Sequence, residues 1–149
     1  MSFAVDVKKW AEKAGLDVVE AKRAAALQIF SAVVVATPVG NPSQWERPQS
    51  APQGYAGGRL RGNWQTSLNA PTMTETGRVD ATGKQAISEV EYTVSLVAGD
   101  ETIYMTNNLP YARRIEFGAH SKQAPSGMVR VTVLAWQQAV KAATKAASK

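Results

Sequence analysis

Val19, Ala26, Leu27, Phe30, Val33 and Val34 recur at helical spacing, while Glu20, Lys22, Arg23 and Gln28 fall largely elsewhere. The pattern predicts a long amphipathic helix from Asp17 to about Ala36. It opens on a D-x-x-E box, Asp17 and Glu20, whose carboxylates suit the orphan N–H groups of a helix start. It stops at Thr37-Pro38, because a residue before proline is pushed out of the helical region. Upstream, Asp6–Ala14 reads as a shorter helix ended by Gly15.

Beyond residue 62 the period changes. Asn63–Asn69 alternates, with Trp64, Thr66 and Leu68 on one face, as a half-buried strand does. Residues 71–80 are polar and turn-rich. Gln85–Ala98 carries two patterns: Val90, Tyr92, Val94 and Leu96 alternate, but Ile87, Val90, Val94 and Val97 step by three and four. A Thr82-x-x-Gln85 box and Gly99 as a terminator tip the reading toward helix. Glu101–Thr106 reads as a strand with Ile103 and Met105 on one face. Pro110 is placed to start a short helix reaching Phe117, with Gly118 ending it. After a polar loop at His120–Gly127, Val129, Val133, Trp136, Val140 and Ala143 mark a final amphipathic helix. Its last turns set Lys141, Lys145 and Lys149 where the helix dipole favours cations. The expected fold is α+β, a small mixed or antiparallel sheet flanked by helices, in one domain spanning 1–149.

Composition narrows the classes. Apolar residues at 44% and charged residues at 19% suit a packed core, not a disordered chain. No apolar run reaches the length of a membrane span, and the N-terminus has no basic and apolar leader, so a non-membrane protein made in the cytoplasm is expected. With no cysteine there are no disulfides, thiolate metal sites or thiol nucleophiles. The formal charge of +5 arises entirely after Glu116, where Lys122, Arg130, Lys141, Lys145 and Lys149 meet no acid. A basic C-terminal third is compatible with nucleic acid or an acidic protein surface, or simply with a solvated helix face.

Catalytic chemistry is thin. His120 is the one histidine, so a His/Cys zinc site cannot be built in one chain, and no G-x-S-x-G elbow precedes it. Glu89 with Glu91 and Asp100 with Glu101 are the closest acidic pairs, without a third ligand nearby. Gly57-Gly58-Arg59-Leu60-Arg61-Gly62 lacks the Lys-Ser/Thr of a phosphate loop. The expectation is a non-enzyme without cofactor or metal.

Interaction features are stronger. Residues 37–62 hold four of the seven prolines and five of the 11 glycines, yet also Trp45 and Tyr55, aromatics an idle linker does not need. They read as an extended arm that orders against a neighbouring surface. Arg59, Arg61 and Trp64 cluster at its root, and Arg113 and Arg114 follow Tyr111. Arginines beside aromatics can anchor interfaces, bind phosphate or stack on bases; the simpler alternative is ion pairing with Glu46, Glu75 or Glu116.

Three spaced segments carry a resemblance. Thr37-Pro38-Val39 followed by Gly58-Arg59-Leu60-Arg61-Gly62-Asn63-Trp64 resembles the T-P-V-D-T-G-x-L-R-x-x-W signature of tail-completion and minor tail proteins of long-tailed bacteriophages. Ile103–Ala112 with Ile115-Glu116-Phe117-Gly118 resembles their I-Y-x-T-N-N-x-P-Y-A-x-x-x-E-x-G core. Ser121–Arg130 is similar to their S-x-Q-A-P-x-G-M-V-R segment. One departure stands out: Gly40–Gly57 replaces the Asp-Thr-Gly turn as an insertion between the halves of the first motif, so no role of that aspartate carries over, and Asn41 is only a conceivable stand-in for it.

The resemblance implies a tail-terminator-like virion protein: a neck subunit, made in the host cytoplasm, that forms a ring, commonly hexameric, between tail tube and head. Its partners would then be copies of itself, the tail tube and head-completion or neck proteins, with passive contact to DNA in the channel. The residues expected at subunit or partner contacts are Trp45, Tyr55, Arg59, Arg61 and Trp64 from the arm and its root. Tyr111, Arg113, His120, Lys122 and Gln123 join them from the later loops. The competing reading is a nucleic-acid-binding protein using the basic C-terminal helix, which calls for strongly salt-dependent affinity.

Overall fold

A computed structural model describes residues 3–15 and 17–147, with side-chain surroundings for 5–15 and 17–141. Among the described residues, six α-helices and one two-stranded antiparallel sheet make an α+β fold. In chain order these are α1 (Phe3–Lys13), α2 (Val18–Ala36), α3 (Arg59–Gly62), β1 (Trp64–Leu68), α4 (Lys84–Ser95), β2 (Ile103–Asn107), α5 (Ala112–Phe117) and α6 (Val129–Ala147). Short 3₁₀ turns at Pro42–Gln44 and Pro48–Ser50 lie between α2 and α3.

The α2 start is the predicted box: Asp17 accepts from the Glu20 N–H, and the Glu20 carboxylate accepts from that of Asp17. Gly15, at φ 69°, closes the turn after α1. In the sheet Trp64 pairs with Asn107 and Leu68 with Ile103, so Trp64 and Thr66 turn inward, as their alternation requires. Helices α2 and α4 pack together, α4 also covers β1, and α1 packs on α6. Trp10 and Trp136 meet edge to face there at 5.9 Å, and the Trp136 indole N–H donates to Gln28 at 3.0 Å. The core gathers Val33 and Val34 of α2, Leu60, Trp64, Ala86, Leu109, Ala112, Ala124 and Met128.

Several boundaries differ from expectation. The 85–98 segment is helical as far as Ser95, but Gly83 stands at the cap of α4 and the Thr82/Gln85 box does not form. Buried Asp80 replaces it, accepting from the N–H groups of Gly83 and Ala86 at 3.1 and 3.0 Å. Helix α4 ends at Ser95, short of Gly99, because Glu101 draws the amides of Ala98 and Gly99 into a turn of their own. The same use of Glu101 delays β2 to Ile103. Helix α5 starts at Ala112, with Pro110 and Tyr111 in the preceding turn, and the left-handed residue after it is Ala119 (φ 53°), not Gly118. In α6, Val140 is buried, while Val129, Val133 and Trp136 are half-buried. The side chains of Ala143 and Lys145, and all of Lys149, lie outside the described residues.

Candidate interaction cleft

The chain leaves α2 through Thr37 and Pro38 and returns at Gly57. There the backbone lies so close to the Gly40 carbonyl that a Cβ on Gly57 would collide with it. Residues 41–56 therefore form a closed surface loop, and the expected extended arm is folded on itself. Asn41 accepts from the N–H of Ser43 to start the first 3₁₀ turn, and the rings of Trp45 and Tyr55 meet edge to face at 5.1 Å. Gln123 ties this loop to the body: its amide accepts from the Val39 N–H at 3.2 Å and donates to the Val39 carbonyl at 2.9 Å.

Between the loop and the segment around α5 lies an open cleft of about 920 Å³. Its lining includes Trp45, Tyr55, Arg59, Tyr111, His120, Lys122 and Gln123, seven of the ten contact residues expected from the sequence. Arg59 reaches Glu75 at 2.9 Å, an exposed ion pair of little energetic weight. Burial pushes the Tyr111 hydroxyl up from its ordinary value, against the pull of the Arg59 charge.

The remaining three sit elsewhere. Trp64 is 6% exposed, and its indole N–H donates to the Thr37 hydroxyl at 2.7 Å, so it is a core residue with little surface for a partner. Arg61 points into the C-terminal end of α2. Its guanidinium donates to the carbonyls of Thr37 (2.7 Å), Val35 (3.0 Å) and, across the gap, Ala81 (2.7 Å). Burial pulls it below its ordinary pKa, opposed by Asp80. Arg113 stacks over the exposed Phe117 ring at 5.9 Å, outside the cleft. Arginine and tryptophan types point equally to interfaces and to carbonyl-rich helix ends; direction decides, and spacing alone does not carry it.

The residues that carry the resemblance are largely framework. Gly58, at φ 116° against the Ala81 backbone, is where only glycine fits easily. Asn63 is fully buried, donating to the Arg59 carbonyl and accepting from the Thr76 N–H, both at 2.9 Å. Asn107 donates to the Leu60 carbonyl, and Asn108 to that of Thr72, each at 2.9 Å. The Glu116 carboxylate accepts the amides of Met128, Val129 and Arg130, at 2.6 to 3.0 Å, at the start of α6. It also pairs with the Arg130 side chain at 3.1 Å, not with Arg114. Burial pushes its pKa up, but these donors outweigh that and hold it below the usual carboxylate range. None of these long-range partners is visible in local periodicity.

Glu89 accepts from the Thr66 N–H and pairs with Arg78, while Glu91 is exposed. Among the described residues no three His, Asp or Glu side chains form a metal-binding group, and no helix is long and apolar enough to cross a membrane. No protein family, curated protein or solved structure matches this chain.

Proposed function

We propose that this chain is a structural virion protein, a tail-completion or head–tail joining subunit that works by docking through the cleft between the 41–56 loop and the α5 region. The observation that carries the reading is convergence: Trp45, Tyr55, Arg59, Tyr111, His120, Lys122 and Gln123 come from distant parts of the chain and line one surface. Aromatic and guanidinium side chains in a concave setting are what protein interfaces use as anchors. The three resembling segments supply framework next to it: Thr37, Arg61 and Trp64 lock the loop's root, and Glu116 holds the start of α6. In a neck assembly this subunit would contact its own copies, the tail tube and neighbouring neck proteins.

The test is to purify the phage particles and find this chain by mass spectrometry and labelled imaging. Presence at the tail–head junction supports the reading; particles complete without it overturn it.

A further inference from the structure

We propose that the cleft of one copy receives the acidic far end of a second copy, head to tail. The inference rests on the reading of the cleft as an assembly surface and names its occupant.

On the cleft side, Arg47 and Lys122 are exposed and have no carboxylate partner among the described residues, and Glu46 is the one acid on the lining. The cleft is thus net basic, with the Trp45–Tyr55 pair as an aromatic wall.

The opposite pattern occupies the end of α4. There Lys22 donates to the carbonyls of Gly99 and Glu101, and Arg23 donates to that of Val97. Both cations of α2 keep their charge there, against the three carboxylates of Glu91, Asp100 and Glu101, so the end is acidic by one charge. The carboxylates of Glu91 and Asp100 are left exposed, without a cation partner among the described residues. Beside them Tyr92 and Leu96, one helical turn apart, are 67% and 52% exposed. This is an acidic patch with two large apolar side chains standing out of it.

Helix α2 separates the two surfaces. Arg23 touches the acidic end and Thr37 roots the cleft, about 20 Å further along the helix. Within one chain the two patches cannot meet, and a second copy satisfies both. Such pairing of unlike patches is heterologous and propagates from copy to copy. Opposite charge speeds encounter and sets register, while Tyr92 and Leu96 seat against the aromatic wall.

The chain has no cysteine, so single cysteines make a clean probe. Lys122→Cys and Leu96→Cys proteins, mixed at high concentration and low salt under mild oxidation, should give a mixed disulfide dimer several-fold in excess over either homodimer. In sedimentation, Arg47→Glu with Lys122→Glu should weaken self-association about tenfold. Mixing that protein with a Glu91→Lys, Asp100→Lys partner should restore it. A mixed cross-link no more abundant than the homodimers overturns the pairing, as does a protein that stays monomeric throughout. Salt-sensitive DNA binding lost in the Arg47→Glu, Lys122→Glu protein also overturns it, assigning the cleft to nucleic acid. Particle location is scored separately, so a chain present at the junction but lacking this cross-link removes the pairing alone.

Discussion

Gly57 lies against the carbonyl of Gly40, so the chain enters and leaves the 41–56 loop at one point. At the same closure, the Tyr55 hydroxyl occupies the place a Cβ on Gly40 would take. The loop is closed by its own backbone and side chains, and no member of the main hydrophobic core lies within it.

Removing Pro42–Ala56 should therefore leave the fold intact. The expected outcome is unchanged helix content and a melting midpoint within about 4 °C of the parent, equivalent to about 1 kcal/mol. Incorporation into particles should fall sharply. Normal incorporation would make the loop dispensable; a collapsed melt would mean that it supports the core.

Arg61→Lys should destabilise the protein by about 2 kcal/mol, because a single ammonium cannot reproduce a planar fork that serves three carbonyls. Urea unfolding with an unchanged slope and a lower midpoint is the expected signature. An unchanged midpoint would show that water serves those carbonyls equally well.

Trp64→Phe removes the indole donor to Thr37 and keeps most of the buried ring, at an expected cost of about 1 kcal/mol. The Thr37 hydroxyl also donates to the Val33 carbonyl at 2.7 Å, so Thr37→Val should cost at least as much. The double variant should cost less than the sum, since both single changes break the same bond. Strict additivity would count against that bond.

These two residues mark the limit of what was legible in the chain. Long periodic elements were readable: the three-and-four spacing through Val90 and Val94 prevailed over the alternation that would have buried Tyr92 and Leu96, which are exposed. The box at Asp17 was readable because its partners are three residues apart. The cleft was partly readable, since large aromatics in a proline-rich stretch had little reason to be there otherwise. Polar groups satisfied across 12 to 27 residues were not: Thr37 with Trp64, Asn63 with Thr76, and Glu116 with the start of α6. Residue type announces what a group can bond, but tertiary packing decides which partner it meets.

Glu116 sets an acid limit. Its carboxyl is held below the usual range in the folded protein, so its contribution is present above the ordinary glutamate pKa of about 4.3 and is lost as pH falls through the folded value. Glu116→Gln should cost about 2 kcal/mol at neutral pH and flatten the stability profile below about pH 4.3. Melting curves from pH 7 downward check this. Parallel profiles for the two proteins would assign the acid sensitivity to other carboxylates.

The placement of the four tryptophans turns the molecule into its own optical instrument. Trp10 and Trp136 touch each other at the α1–α6 contact, Trp64 is enclosed beside Thr37, and Trp45 stands in the surface loop against Tyr55. A change in emission that vanishes in Trp45→Phe reports the loop alone, whereas one that survives reports the body. Docking and unfolding can thus be told apart in a single cuvette, without attaching a dye.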